Sequence, residues 1–429
     1  MVRFLSVAKM FQNVEVSNLR PGTVLSAPVY DHRSQKLLAA GVSLTNSFLA
    51  GLRKRQIREI IISEKDYARH QLYVPQGTSK TAPPFRNGLR ANCSNDLARY
   101  LDEQINDGSL LTLGPPGEPF GDRIQQQEKR LYDAVAIEVM AERHELSVET
   151  LLDTINVLQA SGMLDAETMV RVSEETLLSA VDDLDLFVCL GINPTEHTYP
   201  GRHGLHVAML AMSIGAGMGL DQGSLVDLAL GCLLHDLGML RVSAPTYRSN
   251  RVLDESEFLE ITRHPVDMLD LIERNFDNLP MAARMVAYQM HERCNGSGYP
   301  RGRTAEYIHP LAKIAAVADT HVALVTPRPH RLGMLPYYGM KTILKGFQQG
   351  LFDANVVRAL LHTVSLFPIG SFVKLSDNRV GKVIRANSEN YFQPIVEVWH
   401  PGRRSSGSSV LNLSQEAGLK VVEPLSRPD

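Results

Sequence analysis

The sequence has few cysteines and almost no excess of charge of either sign. Its 429 residues include only Cys93, Cys189, Cys232 and Cys294, which are widely separated and form no Cys-x-x-Cys pair. This spacing disfavours both a disulfide scaffold and a thiolate zinc site. Lysine and arginine number 44, and aspartate and glutamate 47, so the net charge is −3. A broad cationic surface for nucleic acid or anionic lipid is therefore excluded, and any recognition of phosphate must be local.

Long apolar segments are also missing. Apolar runs such as residues 228–234 are far shorter than the roughly 20 residues of a membrane-spanning helix. The N-terminal segment is too short and, after Val7, too polar to be a secretory signal. We therefore expect a cytoplasmic protein that does not contact a membrane. Hydrophobic residues make up 44% of the chain and charged residues 21%, as in ordinary soluble domains.

The first half of the chain shows three kinds of pattern. Residues 1–66 alternate short β-like runs with turn signals and include a helix capped by Thr45, which predicts a small α+β domain. Residues 67–120 contain two segments rich in proline and small polar residues and are predicted to be a linker. Residues 121–195 have apolar residues at helical spacing, which predicts a helical connecting region.

The second half divides into a helical part and a β part. Helical patterning continues over residues 196–366, which predicts an all-α domain. Residues 367–429 change to short β-branched runs separated by turns, which predicts a small all-β, barrel-like module with a flexible tail. The expected fold class is therefore mainly α, with a small α+β domain before the main domain and a small β module after it. We find no repeat of fixed period.

Histidines and carboxylates occur together at several predicted helix ends. His203 shares an apolar helical face and would, alone, be taken for a core histidine. His235 and Asp236 follow an almost entirely apolar helix, and an ionised carboxylate at a buried helix end requires a cation. A buried His–Asp hydrogen bond is the alternative for this pair. His264 lies before a proline that opens a helix, and Asp319 ends a small, apolar helix face.

A glycine-rich loop follows another histidine. His291 begins the sequence His-Glu-Arg-Cys-Asn-Gly-Ser-Gly-Tyr-Pro, which ends with Gly298, Tyr299 and Pro300. Glycines allow backbone amides to approach a phosphate or a nucleobase closely. Tyr299 would either stack on a substrate base or simply pack within the protein.

The ordered set of these motifs resembles the HD-GYP family of the HD phosphohydrolase superfamily, over about residues 196–365. The set comprises His203, His-Asp at 235–236, His-Pro at 264–265, the His-Glu-Arg and Gly-Ser-Gly-Tyr-Pro motifs at 291–300, and Ala-Val-Ala-Asp at 316–319. The resemblance implies an all-α catalytic domain that hydrolyses the bacterial second messenger cyclic di-GMP to pGpG and/or GMP. It also implies attack by a metal-bridging hydroxide.

The resemblance assigns roles to individual residues. It implies two divalent metal ions, iron or manganese, on six ligands: His203, His235, Asp236, His264, His291 and Asp319. His235 and Asp236 are the expected catalytic pair. The expected substrate-binding residues are Gly298, Tyr299, Pro300, Lys313, Arg328 and Arg331. The two arginines could equally be solvated cations at a helix end.

Three positions depart from the family pattern. Met239 stands where the family usually has lysine, leaving Arg241 as the nearby cation, and Met290 replaces the first histidine of a pair. Tyr199 stands where some members have glutamate. A thioether is a poor ligand for a hard iron or manganese site, so we do not expect a third metal. Turnover is expected to be reduced by the two methionines.

Two alternatives to a cyclic di-GMP phosphodiesterase follow. A catalytically weakened domain would bind cyclic di-GMP or a protein partner as a signalling module without cleaving the nucleotide. A metal hydrolase could instead act on another cyclic dinucleotide or phosphoester. The expected partners are cyclic di-GMP, signalling proteins and a second copy of the chain in a homodimer, with no nucleic acid.

Overall fold

A computed structural model of the chain divides into two compact units, Met1–Thr81 and Ala82–Asp429. The structure describes residues 11–16, 19, 23–27, 29–30, 36–39, 41–55, 57, 59–63, 66, 90–108, 110–113, 117–125, 131–192, 199–243, 246, 253–326, 333–387, 390–399, 408–416 and 418–425.

The first unit is a small antiparallel sheet with one helix. Its strands are β1 (Phe11–Glu15), β2 (Val29–Tyr30), β3 (Lys36–Leu38) and β4 (Glu59–Ser63), in the spatial order β1-β4-β2-β3. Helix α1 (Asn46–Lys54) begins where Thr45 Oγ1 accepts a hydrogen bond from the Phe48 amide (3.1 Å), as expected of a threonine N-cap. Ile60 and Ile62 of β4 are fully buried in the core of this unit.

The second unit is mainly helical. Within the described residues it contains twelve helices: α2 (Asp96–Asn106), α3 (Ala134–Ser161), α4 (Ala166–Asp182), α5 (Leu184–Ile192), α6 (Gly201–Gly217), α7 (Gln222–Leu234), α8 (Glu255–Ile261), α9 (His264–Leu271), α10 (Met281–Gln289), α11 (Pro310–Val325), α12 (Pro336–Gln348) and α13 (Ala354–Val364). Short 3₁₀ turns lie at Phe120–Arg123, Leu237–Arg241, Glu273–Asn278 and Ala305–Tyr307. The mainly α fold class expected from the sequence is confirmed.

Helix α6 lies at the centre of this unit, and every residue from Gly201 to Ala216 is buried. Small residues along α6 allow α7 and α11 to pack closely against it. One stretch of the described residues, Gln222–Arg241, is long and apolar enough to cross a membrane, but 72% of it is buried inside the protein. It is therefore a core segment, and its end delivers polar side chains into the interior.

The structure differs from the predicted linker over residues 67–120, because residues 96–106 form α2. Asn95 caps this helix by accepting a hydrogen bond from the Ala98 amide (2.7 Å). Ala98, Leu101 and Ile105 recur at helical spacing and are fully buried in the main core. Likewise, helices α3 to α5 share one core with the helices after residue 196, so the expected connecting region is part of the same packed body.

The C-terminal segment forms a five-stranded antiparallel sheet. Its strands are β5 (Phe372–Leu375), β6 (Val380–Arg385), β7 (Ile395–Trp399), β8 (Ser409–Asn412) and β9 (Val421–Leu425), in the order β8-β7-β6-β5-β9. Within the described residues β8 and β9 are the edges and do not pair, so the ladder is an open sheet, whereas the sequence predicted a barrel-like module. Arg385, 3% exposed, attaches this sheet to the helices by two 3.0 Å hydrogen bonds to the Asp183 carboxylate.

Candidate metal centre

Two histidines at helix ends are oriented by backbone carbonyl groups. His235 follows α7, and its Nδ1 donates a hydrogen bond to the carbonyl oxygen of Cys232 (2.6 Å). His264 begins α9, and its Nδ1 donates in the same way to the carbonyl oxygen of Ile261 (2.7 Å). Each bond fixes the ring and leaves Nε2 as the atom able to bind a metal ion, which is the usual arrangement of metal-ligating histidines.

Asp236 lies between two pairs of histidines. Its Oδ2 is 3.1 Å from His235 Nε2 and 3.7 Å from His203 Nε2. Its Oδ1 is 3.4 Å from His264 Nε2 and 3.9 Å from His291 Nε2. The two oxygens of this carboxylate therefore face two different sets of nitrogen ligands.

Asp319 on α11 also spans the two pairs. Its Oδ1 is 3.2 Å from His203 Nε2, and its Oδ2 is 3.6 Å from His291 Nδ1. Helix α11 packs against α6, which carries His203, so helix packing alone brings these residues together although 116 positions separate them in the sequence. All six expected ligands thus meet in one buried cluster.

The donor set fits metal ions. Two triads, His203 with His235 and Asp236, and Asp236 with His264 and His291, each place one ligand atom per residue within 4.8 Å of the others. The Nε2 atoms of His264 and His291 are buried without a hydrogen-bond partner, and that of His235 faces Asp236 without hydrogen-bond geometry. Buried polar atoms are almost always satisfied, so three such nitrogens around one carboxylate are the arrangement expected of ligands to a cation. Imidazole and carboxylate ligands suit iron, manganese and zinc.

The charges of the cluster also favour a cation. Burial raises the pKa of Asp236, but the surrounding imidazoles outweigh burial and hold that pKa well below its ordinary value. The pKa of Asp319 is likewise lowered by its hydrogen bond to His203 and by the other histidines, despite burial. Burial lowers the pKa of His264 and, more strongly, that of His291. Burial opposes a proton on His235 too, but Asp236 and Asp319 raise its pKa to about 9.

The loop of residues 296–303, called the glycine loop below, packs directly against His291. An added Cβ at Gly298 would lie 2.5 Å from His291 O and from backbone atoms of the next two residues, so only glycine fits there. The Tyr299 ring stacks on the His291 ring, with centroids 4.9 Å apart and planes at 18°. Pro300 is buried. The Tyr299 ring therefore packs on a ligand of the cluster, and whether it also contacts a substrate base stays a prediction.

Glu292 holds the other side of the glycine loop. Its carboxylate, 2% exposed, accepts hydrogen bonds from the backbone amides of Arg301 (2.7 Å), Gly302 (3.0 Å) and Arg303 (2.9 Å). These partners lie nine to eleven residues away in a loop, where no helical spacing would predict contact.

Among the described residues, Lys313, Arg241 and Met290 are not part of the ligand cluster. Lys313 is half-buried on α11, where its charge acts on His309 and Cys294. Arg241, the cation near Met239, is paired instead with Asp270 (2.7 Å). Met290 is fully buried in the main hydrophobic core. The two candidates Arg328 and Arg331 fall outside the described residues.

Comparison with known proteins gives one family match and several relatives. Residues 190–356 match the family described as HD domain. A cyclic di-GMP phosphodiesterase of Pseudomonas aeruginosa is 26% identical over 314 residues, which are 72% of this chain and 73% of that protein. A 3'3'-cGAMP-specific phosphodiesterase of Vibrio cholerae is 30% identical over 193 residues, 45% of this chain and 38% of that protein.

Among solved structures, an HDG"Y"P protein of Bdellovibrio bacteriovorus aligns with 82% of this chain and 98% of its own. The sequence identity is 15% and the TM-score 0.45.

Proposed function

We propose that the protein is a metal-dependent phosphodiesterase that hydrolyses cyclic di-GMP to pGpG and/or GMP, because residues 190–356 match the family described as HD domain. The observation that carries this proposal is the pair of triads that share Asp236. A carboxylate with one oxygen toward each set of imidazoles is suited to join two metal ions.

The six residues of the cluster would hold two divalent ions, iron or manganese. Bound there, the ions would supply Lewis acidity, an activated water at neutral pH and neutralisation of charge on the phosphoryl oxygens. The protein itself orients the ligands and excludes bulk solvent. Cys232 O and Ile261 O fix two imidazoles, and the buried cluster keeps bulk solvent from both carboxylates. Tyr299 shields one face of His291, so we propose that it orients this ligand and that the glycine loop that carries it also contacts the substrate.

The two methionines set the expected level of turnover. Met290 lies in the apolar core, so a third metal would find a thioether instead of an imidazole at that position. Arg241 is engaged with Asp270, so it does not replace the lysine that the family usually has at Met239. We therefore propose two metals, and slower hydrolysis than in family members that keep both residues.

The relatives support the substrate class. The Pseudomonas relative is named a cyclic di-GMP phosphodiesterase and shares most of its length with this chain. The Vibrio relative is named for 3'3'-cGAMP, a second cyclic dinucleotide with the same kind of phosphodiester bond. Cyclic di-GMP is our choice, and 3'3'-cGAMP is the competitor to be tested beside it.

The test is an assay of the anaerobically purified full chain with manganese or ferrous iron. Metals per chain are counted, and both dinucleotides are offered separately.

We expect two metals per chain and faster cleavage of cyclic di-GMP than of 3'3'-cGAMP, with pGpG or GMP released. Asp236→Asn should bind fewer metals and lose activity, and Asp227→Asn is its matched control because Asp227 is on α7 but outside the cluster. Saturable binding of cyclic di-GMP without product would show a sensor, and preferential cleavage of 3'3'-cGAMP would change the substrate.

A further inference from the structure

Helix α2 lies far outside residues 190–356 in sequence, yet it contacts the glycine loop. We infer that Asp102, in the middle of α2, is a positioning residue that holds the glycine loop against the metal cluster. The inference rests on the proposed function, because it concerns how the same site is kept in shape.

Asp102 is the carboxylate shared by two arginines of the glycine loop. Its Oδ2 accepts a hydrogen bond from Arg301 Nε (2.7 Å), and its Oδ1 accepts one from Arg303 Nη2 (2.8 Å). The hydroxyl of Tyr288 lies 3.3 Å from both oxygens. The side chains are 14–20% exposed, so these charge-assisted bonds are only partly screened by solvent.

The same two arginines reach both ends of α2. Arg301 Nη1 donates to the carbonyl oxygen of Cys93, just before the helix (2.6 Å), and Arg303 Nη1 donates to Asn106 Oδ1 at its end (2.7 Å). The hydrophobic face of α2 is meanwhile fixed in the main core. The helix is therefore a rigid support along which the loop is attached at three points.

The segment before α2 also contacts the turn that carries His264. The amide of Ala91 donates to Thr262 Oγ1 (2.8 Å), and Asn95 Nδ2 donates to the carbonyl oxygen of Val266 (3.2 Å). Residues 90–106 thus support the backbone on both sides of one ligand as well as the glycine loop.

Movement of the glycine loop would change the surroundings of the ligand His291. Gly298 is in contact with the backbone of His291, and Tyr299 covers the ring of that ligand. Without the carboxylate of Asp102, Arg301 and Arg303 would face each other as two neighbouring cations, and their repulsion would push the loop away from α2. Glu292 would still hold the loop amides, so we expect displacement of the loop rather than loss of the fold.

The variants are Asp102→Asn, which keeps the shape and removes the charge, Asp102→Glu, and Glu103→Gln. Glu103 is the exposed neighbour on α2 and provides the matched control for loss of one carboxylate. Hydrogen exchange of the amides of residues 301–303 is measured on metal-free protein. KM, kcat and metals per chain are measured on loaded protein, and a melting curve of each variant establishes that it is folded.

For Asp102→Asn we expect the rate of amide exchange in the loop to rise about tenfold, and KM for cyclic di-GMP to rise by the same factor. This factor corresponds to the loss of at least one charge-assisted hydrogen bond. The number of metals should stay at the wild-type value, and kcat should change much less than KM. Asp102→Glu should recover part of the effect, and Glu103→Gln should behave as wild type.

A folded Asp102→Asn protein with wild-type loop exchange and wild-type KM would overturn the inference, as would an equal effect of Glu103→Gln. A variant with a lowered melting temperature but unchanged KM would show a purely structural ion pair and would overturn it too. Failure of the proposed function is separate, since wild-type protein would then fail to cleave cyclic di-GMP, whereas amide exchange in metal-free protein does not depend on turnover.

Discussion

His309 is the N-cap of α11, the helix that carries Asp319, and it can act as a cap only while it is neutral. Its Nδ1 accepts a hydrogen bond from the Leu311 amide (3.2 Å), and the side chain is buried. Burial, with help from Lys313, lowers the pKa of His309 to about 4. A protonated imidazole carries hydrogen on both nitrogens and cannot accept that bond. We therefore predict that this residue makes the stability of the second unit depend on pH.

The sign and size of this change in stability follow from the pKa of His309 in the unfolded and folded states. An unfolded histidine has a pKa of about 6.5, so below that pH the unfolded chain binds a proton that the folded chain refuses. Stability is thus lost as the pH falls from 6.5 toward the folded value of about 4. Near pH 5 about 1.5 pH units of this interval have been crossed, which at 1.36 kcal/mol per unit is a loss of roughly 2 kcal/mol.

The assay is urea unfolding followed by far-UV circular dichroism, near pH 7.5 and near pH 5. His309→Asn keeps a side-chain acceptor at the N-cap but does not titrate, so its loss between the two conditions should be about 2 kcal/mol smaller than that of wild type. His309→Ala should be less stable by about 1 kcal/mol at the higher pH, because it lacks a cap. Other titrating groups are common to the three proteins and cancel. Equal pH dependence in wild type and His309→Asn would refute the reasoning.

Four further predictions follow from the site and its supports. Asp236→Asn should lower the metal count per chain and abolish hydrolysis together, measured by elemental analysis and product assay; full activity in metal-replete variant would contradict the shared carboxylate. Gly298→Ala should lower the free energy of unfolding by more than about 2 kcal/mol, because the added Cβ would clash with the backbone of residues 291–293. Its activity should fall as well. Met239→Lys should lower KM for cyclic di-GMP without changing stability. An unchanged KM would contradict the view that the lysine usual at this position in the family contributes to substrate binding. Arg385→Ala should loosen the C-terminal sheet by about 3 kcal/mol or more, seen as an early transition in the fluorescence of Trp399, the one tryptophan of the chain.

The resemblance to the HD-GYP family named the six residues that the fold brings together, and local sequence supports part of that set. His235 and Asp236 end an apolar helix, and His264 precedes a helix-opening proline, so the cost of burying them already required a partner. Local sequence could not show that Arg241 pairs with Asp270, since that contact depends on how α9 packs beside the 3₁₀ turn after His235. In this structure Arg241 therefore pairs with Asp270 and does not stand in for the lysine that the family usually has at position 239.

Helix α2 was missed for a different reason. Its buried residues stand among charged and polar ones and between two segments rich in proline and glycine, and the flanking signals favoured a linker. The Asn95 cap and the spacing of Ala98, Leu101 and Ile105 were the signals that could have found it. No sequence rule could have joined Asp102 to arginines 199 and 201 residues later, because that contact exists only once the core has formed.

If the cluster binds metal as proposed, the separation of its six residues along the chain would make the stability of the protein depend on metal supply. The six residues lie between positions 203 and 319 on five separate segments, so no short stretch of unfolded chain can reproduce the site. An ion held as proposed would bind the native state alone, and each tenfold rise in free metal above its dissociation constant would add about 1.4 kcal/mol to the free energy of unfolding. A cell starved of the metal would then lose the folded protein to proteolysis as well as its turnover, and cyclic dinucleotide levels would follow metal availability through protein abundance.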